Sequence, residues 1–314
     1  MAAQLVLSTL TPIMLATVRF SIASLIFAPI IVMEYVRGHS PKPKELLKYA
    51  VLGFISISIY FVLQYNGVKY AGAGISALLV VGLIPILTGL TSTILLREKY
   101  STQKIMGTLL GFLGVGLITL PGLLLNNVDW LFYVGVAYLL LNALCWAVYS
   151  VLSRRLMQQA GSPILVTSYV TVLGTLLLLP MSVTSDWGSI RYLRIEQWLS
   201  IAYLALVCSC LGYFLWNFAL QRLEAVKVTV WQYLEPLVAF MGEATLFGVL
   251  PTSTTIIGAV AIIAGALLTS WPTHRETRYQ THHLTNIING AFRPISLTFV
   301  SPKKPPLRVC VQML

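Results

Sequence analysis

The chain has 314 residues, 57% of them hydrophobic and only 10% charged, with a mean hydropathy of +0.81, which excludes a soluble globular domain. The formal net charge of +11 would suggest nucleic acid in a soluble protein, but the basic residues sit in short connections between apolar runs, the pattern of orientation signals. Four cysteines, three of them inside apolar segments, form no CxxC and no metal spacing, so neither a disulfide framework nor a metal site is expected.

In chain order the apolar runs cover 12–36, 46–70, 74–96, 103–125, 131–152, 163–183, 198–220, 226–249 and 254–271. With about 30 Å of hydrocarbon to cross at 1.5 Å per residue, these nine runs predict nine transmembrane helices. They are too long for barrel strands and lack the alternation such strands need. The connections alternate in charge. One set carries Arg37, Lys42, Lys44, Lys48, Arg97, Lys99, Lys104, Arg154, Arg155, Arg222 and Lys227, and the other only Lys69, Arg191 and Arg194 beside Asp129, Asp186 and Glu196. The positive-inside rule puts the first set, and the C-terminus, in the cytoplasm of a multi-pass cell-membrane protein.

A constant offset of 151 residues relates two halves: Pro12, Pro29, Pro85 and Pro121 recur as Pro163, Pro180, Pro236 and Pro272, and Asn66, Gly107 and Gly114 recur as Asn217, Gly258 and Gly265. Proline is scarce enough that this register marks a duplication. Five spans in the second unit reverse the orientation of successive units, giving an inverted repeat with its site near the midplane. The expected organisation is repeat one over 1–125, repeat two over 126–272, and a basic, proline-containing tail over 273–314 that carries His274, His282 and His283 and reads as disordered. The same offset puts the counterpart of 131–152 ahead of Met1, so repeat one is expected to lack most of its opening helix; a nine-helix variant is the competing expectation.

Glu235 stands near the middle of 226–249 and is followed at once by Pro236. A carboxylate at that depth is a functional candidate by default, and Pro236 breaks the helix one turn back. Trp231, four residues earlier, would share its face on an α-helix, and the two together would couple proton or cation movement to a substrate. Arg19, about 10 Å below the outer end of its helix, either snorkels outward or pairs inside the bundle with Glu235. Asn66 and Asn217 lie at symmetric depths, suited to interhelical hydrogen bonds or to substrate. Pro85 and Pro236 occupy equivalent mid-helix positions as hinges or kinks.

The stretch from Gly74 through Pro85 to Leu95-Leu96-Arg97-Glu98 and Gly107, its counterpart around Tyr233-Leu234-Glu235-Pro236, Thr11-Pro12 with Arg19-Phe20, and Trp146 through Ser150 together resemble the two EamA domains of the drug/metabolite transporter superfamily. The resemblance spans about residues 1–272. It implies an all-α bundle of two inverted five-helix units around a central cavity, and movement of small metabolites or drugs, often outward. This chain departs from the pattern where the acidic residue after the fourth helix, present as Glu98, is Val249, with Glu243 six residues upstream.

Enzyme chemistry is not expected. No histidine lies inside a span and no P-loop or dinucleotide fingerprint is present, so neither a cofactor nor ATP-driven transport by this chain is implied. The expected partners are a small-molecule substrate and the lipid bilayer, without nucleic acid; a homodimer stays open. A membrane scaffold without carrier activity is the competing class.

Overall fold

In a computed structural model, residues 2–38, 40–98, 100–119, 130–160, 162–238, 241 and 252–271 are described. The expected tail, Glu243 and Val249 lie outside the described residues. Residues 1–271 form one compact unit.

A short helix α1 (Ala2–Leu7) precedes α2 (Pro12–Val36), which Thr11 caps by accepting the Met14 N–H at 3.4 Å while Pro12 supplies a preset first turn. The second and third spans are α3 (Pro43–Ala71) and α4 (Gly74–Leu96), reversed at Gly72 with φ +86°, a backbone conformation that glycine adopts without steric cost. Then follow α5 (Thr102–Thr119), α6 (Trp130–Ala160), α7 (Pro163–Ser182) and α8 (Ile195–Arg222). The helix α9 begins at Ala225, tightens to a 3₁₀ turn over Val230–Tyr233 and continues to residue 238; α10 is Ser253–Ser270.

Seven of these helices are long and apolar enough to cross a bilayer, and an eighth, Thr102–Ile118, is a shorter apolar helix. Nine full spans were expected; the runs 103–125 and 226–249 both extend into residues outside the described set.

Contacts exchange under the 151-residue offset. A Cβ added at Gly107 would stand 2.8 Å from the Gly265 carbonyl oxygen, and one at Gly258 would stand 2.8 Å from that of Gly114. These two contacts interchange when each residue is replaced by its counterpart. Low positions of α5 meet high positions of α10, so the counterpart helices run antiparallel. Ser24 donates to Thr175, 151 residues away, at 2.8 Å, and the Tyr233 hydroxyl donates to the Gly82 carbonyl, also 151 away, at 3.2 Å. Both halves also carry a π-helical turn at matching places, Phe54–Ile59 in α3 and Leu204–Leu211 in α8.

The two mid-helix prolines act one turn upstream, where their missing N–H leaves a carbonyl free. Before Pro85 the backbone widens into a π turn over Ala77–Val81. Before Pro236 it tightens into the 3₁₀ turn instead.

Candidate functional site

A cavity of about 310 Å³ lies between α3, α4 and α9, within the size range of small-molecule sites. It runs from mid-helix residues Tyr60, Ile84 and Glu235 toward Val68 and Ser76, which flank the Gly72 turn. Ser56 and Ser58 lie in the π turn just ahead of Tyr60, and such a turn re-aims the side chains that follow it.

Glu235 lines this cavity, while Tyr233 and Pro236 beside it are buried. Among the described residues its carboxylate takes part in no hydrogen bond and no ion pair. Gln64 and Gln232 are the amide side chains in the lining. Gln232 Oε1 is a buried acceptor without a partner among the described residues. Sequence periodicity put Trp231 on the Glu235 face. In a 3₁₀ turn residues three apart eclipse, so Gln232 shares the cavity with Glu235, and Trp231, 44% exposed, is outside the lining.

Arg19 does not snorkel. It is 7% exposed, its Nε donates to Ser209 Oγ at 3.0 Å, and its guanidinium lies 4.9 Å from the ring centroids of both Phe20 and Phe61. Nor is it ion-paired to Glu235; Tyr60 lies within electrostatic reach of both. Tyr60 also abuts Trp146, with ring centroids 5.0 Å apart, and Trp146 abuts Tyr213 at 5.7 Å. An aromatic layer therefore underlies the cavity and holds Arg19 apart from it.

The two repeat-related asparagines diverge. Asn217 is fully buried, accepts from Ser153 at 2.6 Å and Tyr149 at 3.2 Å, and donates to Thr167 at 2.9 Å, joining α8 to α6 and α7. Asn66 donates within its own helix to the Val62 carbonyl at 2.7 Å. Asn217→Ala removes the acceptor of two buried hydroxyls, Ser153 and Tyr149, while Thr167 keeps the Pro163 carbonyl, so it is expected to lower stability by about 1–3 kcal/mol, while Asn66→Ala changes it by less than about 0.5 kcal/mol. Thermal unfolding of the detergent-solubilised variants checks this; equal losses would contradict the asymmetry.

At the end of the bundle opposite Gly72 the basic connections meet acids. Arg154 is 2.9 Å from Glu98, and Lys104 pairs with Glu224. Burial pushes the Glu98 carboxyl above its usual range, against the pull of Arg154. Tyr233 closes the layer above, donating to the carbonyls of Gly82 at 3.2 Å and Thr108 at 3.0 Å.

Fold and site together define a polytopic helical membrane protein with an acid-bearing cavity between its helices. The EamA-like transporter family model matches residues 1–120 and again 133–271, and the chain belongs to that family of membrane transporters. It is similar to the uncharacterized transporter YyaM of Bacillus subtilis strain 168, at 30% identity over 80% of this chain and 82% of that protein. An uncharacterized transporter of Archaeoglobus fulgidus is also 30% identical, over 82% and 87%. A probable terminal-alkyne amino-acid exporter of Streptantibioticus cattleyicolor is 26% identical over 73% and 74%. One solved crystal structure overlays with a TM-score of 0.71 at 20% identity, covering 86% of this chain and 90% of that one, a likeness of fold alone.

Proposed function

We propose that the protein is a secondary transporter that carries a small organic metabolite outward by alternating access, with Glu235 exchanging a proton or cation for substrate. The observation that carries this reading is the Glu235 carboxylate, without an ion pair or hydrogen bond among the described residues, lining a cavity beside the Pro236 break. A site whose one charged side chain is an unpartnered carboxylate favours a ligand with N–H donors, so the substrate class is a small metabolite bearing an ammonium group. The relative named as a probable amino-acid exporter is consistent with that class.

The placement of the cavity supports a carrier cycle. It extends toward the Gly72 end, while the opposite end is held by Arg154 with Glu98, Lys104 with Glu224, and the Tyr233 hydrogen bonds. If the basic connections are cytoplasmic, as the positive-inside rule has it, this arrangement is the outward-open one. The return step then breaks those ion pairs while α4 and α9 pivot near Pro85 and Pro236.

The test is flux in proteoliposomes under an imposed pH gradient, over a panel of small amines and their neutral isosteres. Saturable, gradient-driven movement of at least one amine, with its isostere excluded, is expected. Folded protein with no saturable flux across the panel would favour a membrane scaffold and overturn the proposal.

A further inference from the structure

The span α3 changes neighbour partway along its length. In its first half Gly53 presses on α7, where an added Cβ would stand 2.5 Å from the Val170 carbonyl oxygen and 2.6 Å from the Gly174 nitrogen. In its second half it presses on α6: a Cβ at Gly135 would stand 2.7 Å from the Ala71 nitrogen, and one at Gly67 2.5 Å from Leu139 Cδ2. The π turn Phe54–Ile59 separates the two halves. Toward the basic end α3 and α6 therefore diverge, and a cleft of about 460 Å³ lies between them.

The cleft has an apolar floor and two cations. Leu52 and Leu156 are buried at its base, while Leu47 and Val51 are exposed along its side. Lys48 and Arg155, both exposed, belong to its lining. Three of the other cations at this end are matched by acids, Arg37 with Glu34, Lys104 with Glu224 and Arg154 with Glu98, and of the unmatched ones Lys48 and Arg155 are the two that line this cleft. Lys48 and Arg155 have no carboxylate and no hydrogen-bond partner among the described residues. The acid one turn before Lys48 is Glu45, whose carboxylate is engaged in accepting the Lys42 N–H at 3.0 Å.

Depth decides what such a cleft can take. Lys48 lies five residues after Pro43, the start of its helix, and Arg155 five before Ala160, the end of its own. Each is thus about 7.5 Å inside a helix end, a depth comparable to a headgroup layer about 5–7 Å thick. Paired cations at headgroup level above an apolar groove complement a phosphate ester with an acyl chain, whereas a free anion would leave the groove walls uncovered.

We infer that this cleft binds one anionic phospholipid, its phosphate between Lys48 and Arg155 and an acyl chain along Val51 and Leu152. Arginine supplies a planar fork for two phosphate oxygens and lysine a flexible point charge. Basic pockets between helices at the membrane surface are suited to anionic headgroups. A bound lipid here would brace the first half of α3 against α6, the region that the transport cycle must keep or release.

The experiment is native mass spectrometry of the full chain in detergent, titrated separately with phosphatidylglycerol, phosphatidylcholine and inorganic phosphate. One phosphatidylglycerol is expected to bind in preference to phosphatidylcholine, with its dissociation constant raised about 30-fold in Lys48→Gln/Arg155→Gln and unchanged in Arg191→Gln, at the opposite end. Equal binding of the two lipids, or displacement of phosphatidylglycerol by equimolar inorganic phosphate, would overturn the inference. Should the double variant fail to fold, a salt titration of the unmodified protein replaces it, and phosphatidylglycerol binding indifferent to salt would likewise overturn the inference.

Discussion

Glu235→Gln is expected to fold, to insert in the membrane, and to lose about 10- to 100-fold of substrate exchange, with the residual flux no longer dependent on pH. The amide keeps the shape of the side chain and removes only its charge and its proton exchange. Because the carboxylate stands free in the cavity beside Gln232, its replacement strips no ion pair seen among the described residues, and the loss falls on ligand and proton instead. A charge-assisted hydrogen bond contributes about 1.5–3 kcal/mol, and 1.4 kcal/mol is a factor of ten, which sets the size of the effect. Exchange in proteoliposomes across a pH series reads it. An unchanged rate with an unchanged pH profile would make Glu235 a structural residue.

Gly265→Val is expected to cause the largest loss of stability, because α5 and α10 meet backbone to backbone. A Cβ at Gly265 would stand 2.5 Å from the Gly107 carbonyl oxygen and 2.6 Å from the Gly111 nitrogen. Neither atom can rotate away as a side chain could, so the helices must part along their whole seam. Overpacking of this kind costs about 1–3 kcal/mol where side chains can yield, and more than about 3 kcal/mol is expected here, where small residues bring the helices together. Gly116→Ala serves as the contrast, since among the described residues its added Cβ would find only Leu78 Cδ1 at 3.9 Å, and a helical alanine is itself favoured by about 1 kcal/mol. Thermal unfolding followed by size-exclusion chromatography separates the two. Equal melting of both variants would contradict the packing account.

Much of this was legible in the chain because a bilayer imposes simple rules. Seven of the nine apolar runs coincide with helices long enough to cross a bilayer, and the 151-residue register reappeared as exchanged contacts between Gly107 and Gly265 and between Gly114 and Gly258. Glu235 was readable because a carboxylate amid apolar residues has few other reasons to be there. What periodicity could not give was local winding. The 3₁₀ turn over Val230–Tyr233 brings Gln232 rather than Trp231 into the cavity, and only the position of Pro236 hinted at it. The π turn before Tyr60 had no signature at all. Arg19 stands out in the sequence as a charge within an apolar run, but its partner Ser209 lies 190 residues away and carries no charge to betray it. Asn66 and Asn217 are equivalent in sequence, yet only the second faces Tyr149, Ser153 and Thr167, since each half has different neighbours.

The central claim is that the cavity around Glu235 is reached from one side at a time. It is tested most directly by side-specific thiol labelling of Val68→Cys and Ser76→Cys, in protein whose four native cysteines are replaced by alanine. In sealed vesicles of known orientation, an impermeant maleimide is expected to modify both positions from the Gly72 side and not from the side of the basic connections. A saturating transported amine, shifting the population toward the opposite opening, should slow that modification. Equal labelling from both sides, or labelling that no transported amine alters, would contradict alternating access.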